Sequence, residues 1–425
     1  MTSTPPAMPT PAQYWRSMSR MGRKDAGEAV SPGLAEAALR EFLALAGEGA
    51  MGRQKGASAL VKNLWYALQR HRAGLDWELS RRCQALRARE RHLLWWAMLE
   101  CYALCGLAPA VAVAVAAGYA KRRWGQASAG FINAVLRGLL RDHPDGRSFQ
   151  DMLRREAPPA VAGGLPEPLF QRWCRDHGVD WTQSMAELLM QDAPVCARRR
   201  GCFAGGRAGR PYPPGGVMAS STDDFDPSQY YLQDPSTLMA PFLLAPQPGE
   251  NVADLCAAPG GKSLVISELL DGRGSLLAAD RSESRLRQLH ENLDGVPIAE
   301  IAQCDAAAPP GRLQGCFDAV LLDVPCSNTG VIRRRPDVRW GFSEARLAEL
   351  LTLQREILDG AAQTVKPGGR LVYSTCSIEP EENVRQVEAF VERHPDFTVA
   401  AAHQLHPTAF HDGGFAALLQ AGGGR

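Results

Sequence analysis

Apolar residues recur at intervals of three and four from Gly33 to about Arg141, through LAEAALREFLALA, ASALVKNLWYALQRH, RERHLLWWAMLECYALCGL and QASAGFINAVLRGLLRDH. A run with that period turns one apolar stripe towards a core. The first third of the chain therefore predicts an all-α bundle. Trp95, Trp96, Phe131, Val135 and Leu139 fall on the core stripe, a more economical reading than a base-stacking surface. After Tyr231 the pattern changes: short apolar runs, among them SLLAAD, IAEIAQ, FDAVLLD and GGRLVYST, alternate with helical stretches. Such alternation predicts a doubly wound, Rossmann-like α/β sheet with its ligand at the carboxyl ends of the strands.

Between these patterns lies a Pro-, Gly- and Arg-rich stretch. It carries one short piece of folded character, GLPEPLFQRWCRDHG, and then PVCARRR and GCFAGGRAGRPYPPGG. The expected organisation is a loose tail over residues 1–32, a helical domain over 33–156, a basic connector or small subdomain over 157–229 and an α/β domain over 230–425. Net charge is +1, yet residues 1–210 hold 30 Lys and Arg against 18 Asp and Glu, and the remainder is acidic. That asymmetry points to nucleic acid. Candidate phosphate contacts are Arg81, Arg82, Arg87, Arg89, Lys121, Arg122, Arg123, Arg137 and Arg141 in the bundle, and Arg198, Arg199 and Arg200 in the connector.

The eleven cysteines are scattered and form no CxxC pair, which argues against a disulfide framework or a zinc knuckle. Cys101 and Cys105 lie one helical turn apart in an apolar segment and read as buried thiols. No apolar run reaches membrane-spanning length and no signal-peptide core is present, so a soluble, cytoplasmic and monomeric protein without a metal is expected.

The strongest chemical signal is Gly249 to Ser263, GENVADLCAAPGGKS, which reads as strand, tight turn and helix. Its glycines are expected to let the backbone approach a nucleotide-like ligand. The ending Gly261-Lys262-Ser263 imitates a P-loop, but the required earlier glycine is replaced by Cys256. Carboxylates then close four successive strands: Asp254, Asp280 (19 residues after Gly261), Asp305 and Asp323. This set suits S-adenosylmethionine, whose ribose, adenine amine and ammonium group all offer donors or positive charge, and it would repel a triphosphate. Two thiols, Cys326 and Cys376, stand at neighbouring strand ends. Carbon 5 of cytosine is a weak nucleophile until a thiolate adds to carbon 6, and a second acid/base group must then help the adduct resolve. The residues alone leave open which thiol attacks.

DLCAAPGGKS, DVPCSNTGVIRRRPDVRW, LVYSTCSIEPEEN, HDGGFAALL and the upstream YLQDPSTLMAP resemble successive motifs of the RsmB-like (Sun family) RNA cytosine-5 methyltransferases. The helix order of the first third, with FINAVLRGLLR, resembles the NusB-like RNA-binding domain of that family, although VAVAVAAGYA stands where the family usually has an Asn-Glu pair. The resemblance implies methylation of a cytosine in 16S ribosomal RNA, with Cys376 as nucleophile, Cys326 promoting release of the product and Asp323 between cofactor and base. It assigns Cys256, Ala257, Ala258, Pro259, Gly260, Gly261, Lys262, Asp280, Asp305 and Asp323 to S-adenosylmethionine. Arg333, Arg334, Arg335, Arg339 and Trp340 follow the Pro-Cys loop; the arginines are expected to hold the RNA backbone and Trp340 to stack or pack. Glu382-Asn383-Val384 opens a helix and is explained by helix-start preference. Gly414 before Phe415 departs from the family's usual Gly-Phe-Phe, with small local consequences expected. Competing readings are the same chemistry on transfer RNA or another RNA, and an inactive RNA-binding assembly factor.

Overall fold

The computed structural model describes residues 32–47, 58–104, 106–203, 217–219 and 225–423. Cys105, most of the first 32 residues and most of the Gly- and Arg-rich stretch after Phe203 therefore lie outside the described residues. The chain divides into two units, residues 1–166 and 167–425.

The first unit is helical: α1 (Pro32–Gly47), α2 (Ala59–Arg82), α3 (Ala88–Leu99), α4 (Pro109–Trp124), α5 (Gln126–Asp142), α6 (Gly146–Glu156) and the single turn α7 (Pro159–Ala162). Local signals set the boundaries. Ser58 caps α2 by accepting from the Val61 N–H, Pro109 opens α4, and Gly125, at a φ of +90°, turns the chain between α4 and α5. The expected third helix ends early, in a π-helical turn over Glu100–Leu104. Trp96, Leu93, Ile132, Leu136 and Leu139 are buried in one core, with Phe131 and Val135 packed at its margin. Many of the basic residues serve the unit itself. Arg82 pairs with Glu78 and Asp142, Arg122 with Glu36, and Arg89 lies over the Trp124 ring.

The second unit begins with α8 (Glu167–His177) and α9 (Val179–Leu189), followed by a small antiparallel sheet of β1 (Val195–Arg199), β2 (Val217–Ala219) and β3 (Tyr230–Leu232) in the order β2-β1-β3. The main elements are α10 (Met239–Leu244), β4 (Asn251–Asp254), α11 (Gly261–Leu269), β5 (Ser275–Asp280), α12 (Glu283–Leu293), β6 (Ala299–Gln303), β7 (Phe317–Asp323), α13 (Val338–Gly341), α14 (Glu344–Ala362), β8 (Val365–Thr375), α15 (Val384–Arg393), β9 (Phe397–Leu405) and β10 (Gly414–Ala421). The large sheet runs β6-β5-β4-β7-β8-β10-β9. Its first five strands are parallel and β10 is antiparallel to both its neighbours. Strand order reverses direction at β4, the switch point where such sheets hold ligands. Register places Asp323 opposite Ser374, so the loops leaving β7 and β8 start side by side. No helix among the described residues is long and apolar enough to cross a membrane.

Candidate active site

The carboxyl edge of the large sheet opens into a cavity of about 410 Å³, lined by Cys256, Ala258, Asp280, Asp305, Asp323, Cys326 and Cys376 among others. Asp280 binds the glycine turn to β5: one oxygen accepts from the Ala258 N–H at 3.3 Å and pairs with Arg285 at 3.2 Å, while the other accepts from the Ser282 N–H. Asp305 accepts from the Ala307 N–H, which fixes its own loop. Ala257, Pro259, Gly260, Gly261 and Lys262 are not among the lining residues. The glycines of the turn are needed for packing within the protein. A Cβ on Gly260, where φ is +112°, would come within 3.0 Å of Leu289, and one on Gly261 within 3.0 Å of the Tyr231 ring. These two glycines thus let the turn pack closely on α12 and β3.

Asp254 also departs from its expected place. It is buried beneath the turn, accepts from the Ser263 hydroxyl at 2.7 Å, and its carboxyl is pushed up to about 7 by burial. Three strand-end acids therefore face the cavity, and the fourth braces the turn from behind.

On the other side of the cavity Asp323 accepts from Lys262 Nζ at 2.6 Å and from the Ser374 hydroxyl at 3.1 Å. Burial alone would lower the lysine, but the charge and hydrogen bond of Asp323 more than offset it, so Lys262 stays above its ordinary value. Cys326 Sγ and Cys376 Sγ lie 3.2 Å apart. The hydrogen bond to Cys376, and burial after it, push the Cys326 thiol well above its ordinary value. Cys326 is thereby kept as a thiol beside its neighbour. Cys376 Sγ also lies 3.0 Å from Asn328 Oδ1, on a residue held at a φ of +62°. Asn tolerates that left-handed conformation better than most residues. Asn328 was not expected at the site, and its only local signal is an Asn in the Ser-Asn-Thr-Gly turn. Nor were Arg346, Leu350, Leu353 and Ile357, which line the cavity from α14 at helical spacing.

Residues 241–416 match the model of the 16S rRNA methyltransferase RsmB/F family, and residues 31–141 match the NusB family. The RsmB/F match lies wholly within the second unit and covers most of it. The ribosomal RNA small subunit methyltransferase B of Vibrio cholerae is 47% identical over 178 residues, 41% of this chain and 41% of that protein. Its counterpart from Salmonella typhi is 47% identical over 169 residues, 39% of each. The matches to these curated relatives thus span about two fifths of their length. Among solved structures, PH0851 aligns with a TM-score of 0.70 at 22% identity, covering 90% of this chain and 98% of that one. A methyltransferase homologue from Pyrococcus horikoshii aligns with a TM-score of 0.53 at 25% identity, covering 64% and 99%. The fold is that of S-adenosylmethionine-dependent methyltransferases, and the cavity suits that cofactor: separate carboxylates at the ends of β5 and β7 and just beyond β6 would accept from donors on ribose, adenine and ammonium.

The loops that carry the two thiols are anchored by residues that looked incidental. Glu382 and Asn383 are fully buried, and Asn383 makes no side-chain cap for α15, so helix-start preference does not explain them. Glu382 accepts from the Ser327 N–H at 2.8 Å and from Gln354 Nε2 at 2.9 Å. Asn383 accepts from the Thr375 hydroxyl at 2.6 Å and donates to the Ser377 carbonyl at 3.0 Å.

The arginine expectations need correction. Arg198 is 1% exposed and donates to Glu268 and Gln233. Arg333 is buried on the carbonyls of Thr408, Ala409 and Asp192, and Arg339 on that of Leu189. Arg334 bridges Asp234 and Asp412 at 2.8 Å each. A guanidinium committed to such partners inside the protein serves the fold of the unit, so these four hold the unit together. Arg200, bonded to the Pro227 carbonyl, and Arg335, paired with Asp337, are half-exposed and keep part of their surface open to solvent.

Proposed function

We propose that this chain transfers a methyl group from S-adenosylmethionine to carbon 5 of a cytosine in small-subunit (16S) ribosomal RNA, in the cytoplasm, through a covalent cysteine adduct. The observation that carries this reading is the contact of two thiols at 3.2 Å on the cavity that Asp280, Asp305 and Asp323 also line. Either sulfur can donate in that contact, and the Cys376 thiol also donates to Asn328 Oδ1, so the choice of Cys376 as nucleophile rests on the resemblance of its Thr-Cys motif to the RsmB-like enzymes. On this reading Cys376 adds to carbon 6, and carbon 5 gains enamine character. Bound S-adenosylmethionine supplies the electrophilic sulfonium methyl that carbon 5 takes up. Cys326 is the acid/base group beside the adduct as the proton leaves carbon 5 and the bond between carbon 6 and Cys376 breaks. Asp323, oriented by Lys262 and Ser374, offers an acceptor to the 4-amino group of the base. The target base must leave any stack to reach these atoms. The NusB-like unit, Arg200 and Arg335 are proposed to engage the RNA.

Transfer of labelled methyl to 16S ribosomal RNA is the test, with transfer RNA alongside. Cys376→Ala is expected to abolish transfer, and Cys326→Ala to accumulate a protein–RNA adduct that survives denaturation. Full activity in Cys376→Ala overturns the mechanism, and an adduct in that variant alone reverses the roles of the thiols. Methylation of transfer RNA alone moves the substrate, and silence of the wild type on both RNAs favours an assembly factor.

A further inference from the structure

We propose that the adjacent residues Glu382 and Asn383 divide the two thiols between them, Glu382 positioning Cys326 and Asn383 positioning Cys376, so that each governs a different half of the reaction. The proposal rests on the two-thiol reading above. Both side chains are buried, and neither lines the cavity, so they act through the loops they hold. The carboxylate of Glu382 accepts from the Ser327 N–H at 2.8 Å, from the Ser327 hydroxyl, and from Gln354 Nε2 at 2.9 Å. Gln354 Nε2 also donates to the Pro325 carbonyl at 2.9 Å. The residues on both sides of Cys326 are thus tied to one carboxylate, directly or through one glutamine.

Asn383 does the same for the other thiol. Its Oδ1 accepts from the Thr375 hydroxyl and its Nδ2 donates to the Ser377 carbonyl, the residues on both sides of Cys376. The two systems meet where the Ser327 and Ser377 hydroxyls lie 3.1 Å apart. A carboxylate this buried is costly unless its lone pairs are used. Here they are used on the loop that carries Cys326, and the helix that follows receives none of these bonds. Two consecutive residues therefore set the separation of two sulfurs that are fifty positions apart in sequence.

The two roles separate experimentally. The full-length chain is given 16S ribosomal RNA and S-adenosylmethionine, and both turnover and denaturation-resistant adduct are measured for Glu382→Ala, Asn383→Ala and Glu382→Gln, with Cys326→Ala and Cys376→Ala as controls. A small misplacement of a reacting group costs about 100-fold. Glu382→Ala is expected to lose turnover on that scale while adduct rises, as in Cys326→Ala. Asn383→Ala is expected to lose turnover and adduct together, as in Cys376→Ala. Glu382→Gln retains an acceptor for the Ser327 N–H and is expected to recover most of the turnover, with the KM for S-adenosylmethionine unchanged throughout. Equal loss of adduct and turnover in both alanine variants, or no change in either, overturns the proposal. If Glu382→Ala fails to fold, Ser327→Ala asks the same question of the same bond, and no rise in adduct overturns the assignment. Controls that leave adduct and turnover untouched overturn the two-thiol reading itself, and the proposal with it.

Discussion

The two sides of the cavity are built differently although they share one sheet edge. On the cofactor side, position follows from strand register: Asp280 ends β5, Asp305 stands just beyond β6, and each is steadied by backbone N–H groups of its own or the neighbouring loop. On the thiol side, position follows from side chains of distant residues, with Glu382, Gln354 and Asn383 reaching from outside the two loops they hold. The first construction needs only the period of the strands. The second needs the whole fold before any of its parts can be placed.

The largest expected effect tests whether Asp254 belongs to the frame of the cofactor side and not to its ligand set. Its carboxyl ordinarily titrates at 3.8 and is pushed up to about 7 by burial. Between those values the folded chain keeps a proton that the unfolded chain has released, so the contribution of this residue to stability falls as pH rises. The fall amounts to about 4 kcal/mol once both values are passed. Asp254→Asn keeps an acceptor for the Ser263 hydroxyl without that charge. In denaturant titrations it is expected to match the wild type near pH 4 and to exceed it increasingly up to pH 8, with cofactor affinity unchanged. A difference independent of pH would return Asp254 to the ligand set.

Lys262 joins the two sides, because it stands in the first turn of α11 and holds Asp323 next to the thiols. Lys262→Met leaves the Asp323 carboxylate beside the cavity without its counter-charge. Turnover is expected to drop about 100-fold, or ~2.7 kcal/mol, with a smaller change in the KM for S-adenosylmethionine. A rise in that KM with kcat unchanged would place Lys262 wholly on the cofactor side.

This difference in construction also decides what could be read before the fold was known. Alternation of strands and helices located every acid on the sheet edge, and the Pro-Cys and Thr-Cys pairs brought both thiols to neighbouring loops. What the sequence hid was direction and depth. Asp254 has the same pattern as Asp280, yet its side chain turns beneath the glycine turn. Arg198, Arg333 and Arg334 look like a basic surface, but their partners lie 35 to 141 positions away and no local pattern announces them. Glu382 and Asn383 sit where any helix might begin, and only their burial distinguishes them.

The smallest effects sharpen the contrast, because glycines buttress both sides. A Cβ on Gly414 would meet the Thr375 carbonyl oxygen at 2.9 Å, one residue from Cys376, whereas one on Gly261 would press on the outer edge of the Tyr231 ring. Overpacking against backbone costs about 1–3 kcal/mol, and a ring can yield more cheaply. Gly414→Ala is therefore expected to lower Tm by a few degrees and kcat several-fold at constant KM for S-adenosylmethionine. Gly261→Ala is expected to spare kcat and raise that KM modestly through the turn. Gly341→Ala, where a Cβ meets nothing within 4 Å, serves as the control. If Gly414→Ala changed the cofactor KM as much as Gly261→Ala does, the two sides would be mechanically one. The glycine before Phe415 would then matter to the whole sheet edge, where its contact with Thr375 assigns it to the thiol loop alone.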